Sequence, residues 1–109
     1  MQDSLEQLET TYFTLQSQID MLSAACQTQE QRDALTTQYV QARKAYWGCV
    51  NKAFHDDDPQ VVSLTNQLTA ENKNLKDALN DLSDIAKVLN VVTQVVTVGA
   101  SLAGACISA

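Results

Sequence analysis

The residues in this chain best suited by type and spacing to chemistry are His55-Asp56-Asp57-Asp58-Pro59. One imidazole beside three carboxylates offers donors for a divalent cation or a proton-sensitive latch, and Asp56-x-Asp58 has the shape of a metal–nucleotide acidic pair. The companions such chemistry needs are missing. No glycines stand nearby to cradle a phosphate, and the single histidine gives no convincing Ser/His/Asp set. A plainer reading explains the same residues: Asp directly before Pro starts a helix, and the carboxylates sit at the positive end of its dipole. Cys26, Cys49 and Cys106 are too few and too scattered for a zinc site or a disulfide scaffold. An odd count without a CxxC motif reads as thiols used as small apolar residues in a reducing compartment. Cys26 and Cys49 fall at opposite ends of a helical hairpin and cannot pair, while Cys106 near the chain's tip is placed to cross-link copies under oxidation. No catalytic residue, metal, cofactor or small-molecule substrate is assigned.

The elements that hold these residues read as helices. One proline and three glycines in 109 residues are too few turn formers for a β-sandwich or barrel, and the length suits one domain. Apolar residues at Leu5, Leu8, Tyr12, Leu15, Ile19, Leu22 and Cys26 alternate steps of three and four, predicting a helix over about 3–26 that Asp3 or Ser4 can cap. Thr28 followed by Gln31 predicts a capping box and a second helix over 29–54. Its stripe is Leu35, Tyr39, Ala42, Tyr46, Cys49 and Ala53, widened by Val40, Trp47, Val50 and Phe54. Gly48 inside it implies a close helix approach. The first helix carries only acids and the second carries Arg43 and Lys44, which suits antiparallel packing. A third helix starts at Pro59 and runs Val61, Leu64, Leu68, Leu75, Ala78, Leu82, Ile85, Leu89, Val92 and Val96, with Glu71 as the one polar residue on its seam. The core seam is therefore Leu8, Tyr12, Leu15, Ile19, Leu22, Tyr39, Tyr46, Trp47, Leu68, Leu75 and Leu82.

Charge divides the chain. Lys87 is its last charged side chain: residues 1–87 hold all 13 acids and 7 bases, which give a net charge of -6. With no basic stripe to neutralise phosphates, nucleic acid is excluded as a partner. The polar, acidic N-terminus is not a signal peptide, so the expected location is the cytoplasm or export without a cleavable signal. Segment 88–109 is long enough to cross a bilayer, and its mean hydropathy of about 1.6 sits at the spanning threshold. Asn90, Thr93, Thr97 and Ser101 nevertheless share one face, and no aromatic or basic anchor follows. Small residues repeat near its end, where Gly99/Ala103 and Ala100/Gly104 form small-xxx-small pairs.

These features give an all-α fold: an antiparallel hairpin or coiled-coil bundle of three long helices, about 3–26, 29–54 and 59–87, forming a frame over 1–87. The third continues into, or is followed by, the uncharged segment 88–109. Unbroken to Cys106 it would measure about 70 Å, nearly twice its neighbours. Either the chain turns back near 87–90 as an inner fourth helix, or it projects as an apolar spike. Few turn residues lie after Leu79, which favours the spike.

The expected function is non-enzymatic assembly through Val92, Val95, Val96, Gly99, Ala100, Ala103 and Gly104, with a second copy or a dedicated protein partner. A membrane-active module that inserts 88–109 is the alternative. Its layout, a helical stalk with an apolar head, resembles α-helical pore-forming toxins and secretion translocators in architecture alone. A monomeric four-helix adaptor or immunity-type binding protein is the third reading.

Overall fold

The computed structural model describes residues 3–55 and 57–108, with side chains for 4–55 and 57–106. Four helices pack against one another: α1 (Asp3–Ala25), α2 (Gln29–Cys49), α3 (Pro59–Ala78) and α4 (Ile85–Ala103). Two short strands, β1 (Lys52–Ala53) and β2 (Ile107–Ser108), pair antiparallel in the register Lys52↔Ser108 and Ala53↔Ile107. The bundle measures 42 × 21 × 19 Å, and among the described residues no apolar spike projects from it.

Side-chain contacts fix the helix directions. Tyr12 of α1 stacks on Tyr46 of α2 while Cys26 meets Arg32, so these helices run antiparallel. Ser4 pairs with Thr65 and Thr11 with Asn72, so α1 and α3 run parallel. Cys49 reaches Ala103, which sets α4 along α2 in the same direction. The order is up-down-up-down, and α4 touches all three other helices.

Local chemistry explains most helix ends. Thr28 Oγ1 accepts the Gln31 backbone N–H at 3.1 Å, and Gln31 Oε1 accepts the N–H of Gln27 at 2.7 Å, a capping box shifted by one residue on its return bond. The Asp58 carboxylate accepts from Gln60 N at 2.8 Å ahead of Pro59. Ser4 is not a cap: its hydroxyl pairs with that of Thr65 at 2.8 Å. The capping side chain expected of Asp3, and Asp56, lie outside the described residues.

Three expectations are corrected here. The second helix stops at Cys49, short of residue 54; Val50 caps it and the chain passes into β1. Gly48 has open space around its missing Cβ, so it marks a weak last turn of α2 and no close approach. The third helix ends at Ala78, before residue 87, and six residues reverse the chain. Asp81 Oδ1 accepts the Ser83 N–H at 3.0 Å and Asp84 Oδ1 accepts the Lys87 N–H at 3.3 Å. Asn80-Asp81-Leu82-Ser83-Asp84 thus supplies an Asx turn followed by a helix cap, with neither Gly nor Pro. The turn falls before the 87–90 position read from sequence.

The core runs the length of the bundle. Leu8, Leu15 and Leu22 of α1, Leu35, Ala42 and Cys49 of α2, Leu68 and Leu75 of α3, and Val88, Val92, Val95 and Leu102 of α4 are all buried. Each large aliphatic side chain taken from water contributes about 1.5–3 kcal/mol. A polar layer interrupts this core. Asn72 is buried between Leu68 and Leu75, accepts from Thr11 Oγ1 at 2.6 Å, and donates to the Gln7 backbone carbonyl and Oε1 at 3.1 and 3.0 Å. The polar seam residue is thus Asn72, one place beyond Glu71, because α3 turns the 68–72–75 spacing inward.

Candidate interaction surface

The seven residues expected to mediate assembly divide into two sets. Val92, Val95, Val96 and Gly99 are buried in the bundle, while Ala100 and Gly104 are exposed and Ala103 is half-buried. A methyl group at Gly99 would meet Leu8 Cδ2 at 3.6 Å and Leu68 Cδ1 at 3.9 Å, ordinary contact distances. That glycine therefore faces the chain's own α1 and α3. The outward face of α4 carries Asn90, Thr93, Gln94, Thr97 and Ser101. Its hydroxyls bond back to the helix: Thr93 to Leu89 O at 3.0 Å, Thr97 to Thr93 O at 2.7 Å and Ser101 to Thr97 O at 3.1 Å.

Larger exposed apolar groups lie elsewhere, with Met21 and Val62 standing apart and the other three gathered on one face. Trp47, expected on the core seam, is 53% exposed, and Val40 and Phe13 are 39% and 43% exposed. Helical rotation explains the displacement: Tyr46 takes the inward position, and the next residue turns about 100° away from it. Val40, Arg43, Lys44 and Trp47 follow the i, i+3, i+4, i+7 spacing of a single helix face, and they line a depression of about 310 Å³. The other seam residues are buried or half-buried, with Ile19, Tyr39 and Leu82 in the second group.

An aromatic stack anchors this face. Tyr12 lies 5.0 Å from Phe13, 5.8 Å from Tyr39 and 5.9 Å from Tyr46, measured between ring centroids. Tyr46 in turn meets Phe13 at 5.7 Å and Trp47 at 5.1 Å, both edge to face. The buried Tyr12 and Tyr46 thereby fix the orientation of the two exposed rings. The Tyr46 hydroxyl donates to Glu9 Oε2 at 3.1 Å. Burial first, and the Glu9 carboxylate second, push the Tyr46 phenol above its ordinary range. Tyr39 is raised chiefly by its hydrogen bond with Tyr12. Both phenols remain neutral at physiological pH and serve as hydrogen-bonding supports.

A second depression of about 280 Å³ lies between α2 and α4, lined by Gln41, Lys44, Ala45, Ala100, Ala103 and Gly104. Lys44 lines both depressions. The accessible part of the small-residue tip therefore joins the tryptophan face through that one side chain. Sequence reasoning placed Val40 and Trp47 in a broad apolar stripe; the signal for exposure was the adjoining Arg43 and Lys44, which cannot share a dry face with them.

The acidic cluster shows no such construction. His55, Asp57 and Asp58 are exposed, and Asp58 is engaged as the α3 cap. Among the described residues, no three His, Cys, Asp or Glu side chains gather as a metal site. Ser83, through its hydroxyl and its backbone N–H, holds the exposed Asp81 carboxyl below the usual carboxylate range, as the Asx turn requires. At the far end of the bundle, Cys49 is 2% exposed. Burial first, and then hydrogen bonding with Cys106, push its thiol up to about 12. No protein-family model, curated protein or solved structure matches the chain.

Proposed function

We propose that this chain is a non-enzymatic helical interaction protein that assembles with a second copy of itself. Docking uses the tryptophan-centred face of α2, flanked by Phe13 of α1 and the Ala100/Gly104 tip of α4. The observation carrying this reading is Trp47, a large ring held half in solvent by buried tyrosines and bordered by two cations. Rigid aromatic groups of this kind dominate protein–protein binding energy. Charge favours a like copy as the occupant. Arg43 and Lys44 form a local basic spot on a chain of net charge -6, and α1 next to them carries acids and no base. An isologous pair sets each apolar face on its twin and brings the acidic α1 of one copy to the basic spot of the other.

Sedimentation equilibrium of the full chain tests this directly. The wild type is expected to be a dimer. Trp47→Ser and Phe13→Ser shift it to monomer while leaving the circular dichroism spectrum unchanged. Arg43→Glu with Lys44→Glu weakens the pair, and a reciprocal Glu6→Lys with Glu9→Lys exchange restores it. A wild type that stays monomeric at high micromolar concentration sinks the reading.

One observation favours a second reading, in which the bundle opens and α4 enters lipid. Helix Ile85–Ala103 is long and apolar enough to cross a membrane, with a mean hydropathy of 1.5. Its outward hydroxyls are already satisfied by its own backbone, which lowers the cost of leaving water. Dye release from liposomes at neutral and acidic pH decides it, and intact vesicles under both conditions rule insertion out.

A further inference from the structure

The C-terminal ends of α2 and α4 meet at a pair of thiols that the interaction face does not use. Cys49 Sγ donates to the carbonyl of Ala103 at 3.5 Å, and the backbone N–H of Cys106 donates to that same oxygen at 3.2 Å. The one carbonyl thus brings the Cys49 thiol beside the Cys106 backbone. Both cysteines are free, with Cys49 buried and Cys106 half-buried. Pairing of Lys52 with Ser108 and Ala53 with Ile107 holds the chain just past each cysteine in fixed register. Two sequence-distant cysteines are thus kept at one place by a shared acceptor and a two-residue ribbon.

We propose that Cys49 and Cys106 form a redox latch: a dithiol that accepts a small-molecule disulfide as co-reactant and closes to an intrachain disulfide across the ends of α2 and α4. The half-buried Cys106 reacts first. Its thiolate attacks one sulfur of the small disulfide, forming a mixed disulfide and releasing one thiolate, which takes up the proton Cys106 lost. Cys49 then gives up its proton and attacks the Cys106 sulfur, expelling the second small thiol, which leaves with that proton. Two protein thiols are oxidised to one disulfide, and one small disulfide is reduced to two thiols. Burial disfavours the Cys49 thiolate and makes the second step the slow one. Closure encloses α3 and α4 in a covalent loop and fastens the last turn of α4 to α2. Cys26, at the opposite end of the bundle, has no partner in this chemistry. The latch rests on its own observations and does not require the dimer proposed above.

The experiment treats the reduced full-length protein with oxidised glutathione, quenches by alkylation and maps peptides under non-reducing conditions. The expected product is a monomer that has lost two hydrogens, with Cys49 linked to Cys106 and Cys26 alkylated. Its thermal midpoint rises above that of the reduced protein, and Cys106→Ser, at a half-buried site that tolerates the change, abolishes both the link and the rise. Cys26→Ser leaves both intact. A Cys106–Cys106 link between copies overturns the proposal, as does a stable glutathione adduct on Cys106 with Cys49 still reduced. A wild type whose three thiols all remain alkylatable overturns it equally.

Discussion

Helix α4 carries a single charge, Lys87, and turns Val88, Val92, Val95, Val96 and Leu102 into the bundle. Helix α2 carries Glu30, Arg32, Asp33, Arg43 and Lys44, yet leaves Val40 and Trp47 in solvent. The more apolar helix is thus the better hidden, and the more polar one bears the sticky face. Sidedness accounts for this. On α4 every large apolar group lies within one arc, and hydroxyls and amides fill the rest. On α2 the inward arc is already occupied by Leu35, Ala42, Tyr46 and Cys49, so its additional apolar residues project outward. An apolar segment in a sequence therefore identifies burial, whereas an apolar residue out of phase with its helix identifies a surface.

Leu102→Ala is the strongest test of that contrast. Its side chain is fully buried in α4, and truncation is expected to lower stability by about 2–5 kcal/mol in urea unfolding. A loss below about 1 kcal/mol would mean that α4 is not a core helix. Asn72→Ala comes next, because it leaves Thr11 and Gln7 without their buried partner. The expected cost is about 1–3 kcal/mol by the same measurement. Gly99→Ala should raise the thermal midpoint modestly, gaining up to about 1 kcal/mol of helix propensity where the added methyl has room. If α4 instead packed on a copy of itself through Gly99, this variant would abolish association. Trp47→Ser should alter the stability of the monomer by no more than about 0.5 kcal/mol while eliminating the dimer. A large loss of monomer stability would return Trp47 to the core and erase the difference between the two helices.

Helix starts were legible in sequence because caps are local: Thr28 with Gln31, and Asp58 with Pro59, act within a few residues. The α1 seam was legible for a similar reason, since its three-four spacing admits one inward face. The reversal after Ala78 was obscured because its turn uses Asp and Ser side chains in place of Gly or Pro. Asp81 before Ser83, and Asp84 three residues before Lys87, were the readable signals. Residues 91–98 are rich in β-branched valine and threonine, which made helix the weaker local preference; contact with three neighbours overrides it. Of the proposed interaction face, the small-residue tip stood out in sequence, whereas Trp47 was assigned to the core seam and is 53% exposed. One residue of phase, Tyr46 against Trp47, decides which ring goes inward, and only tertiary packing sets that phase. The meeting of Cys49 with Cys106 was invisible because it depends on α4 folding back along α2.

The central position of α4 also bears on how the chain is made. Ribosomes deliver the N-terminal elements first, at roughly 5–20 residues per second. Helices α1, α2 and α3 precede α4 in the chain, so Leu8, Leu35 and Leu68 emerge before the helix that covers them. Until α4 follows, those leucines lack one of the helices that bury them. Apolar surface exposed in that interval is open to a chaperone holdase or to aggregation, so slower delivery of α4 lengthens the risk.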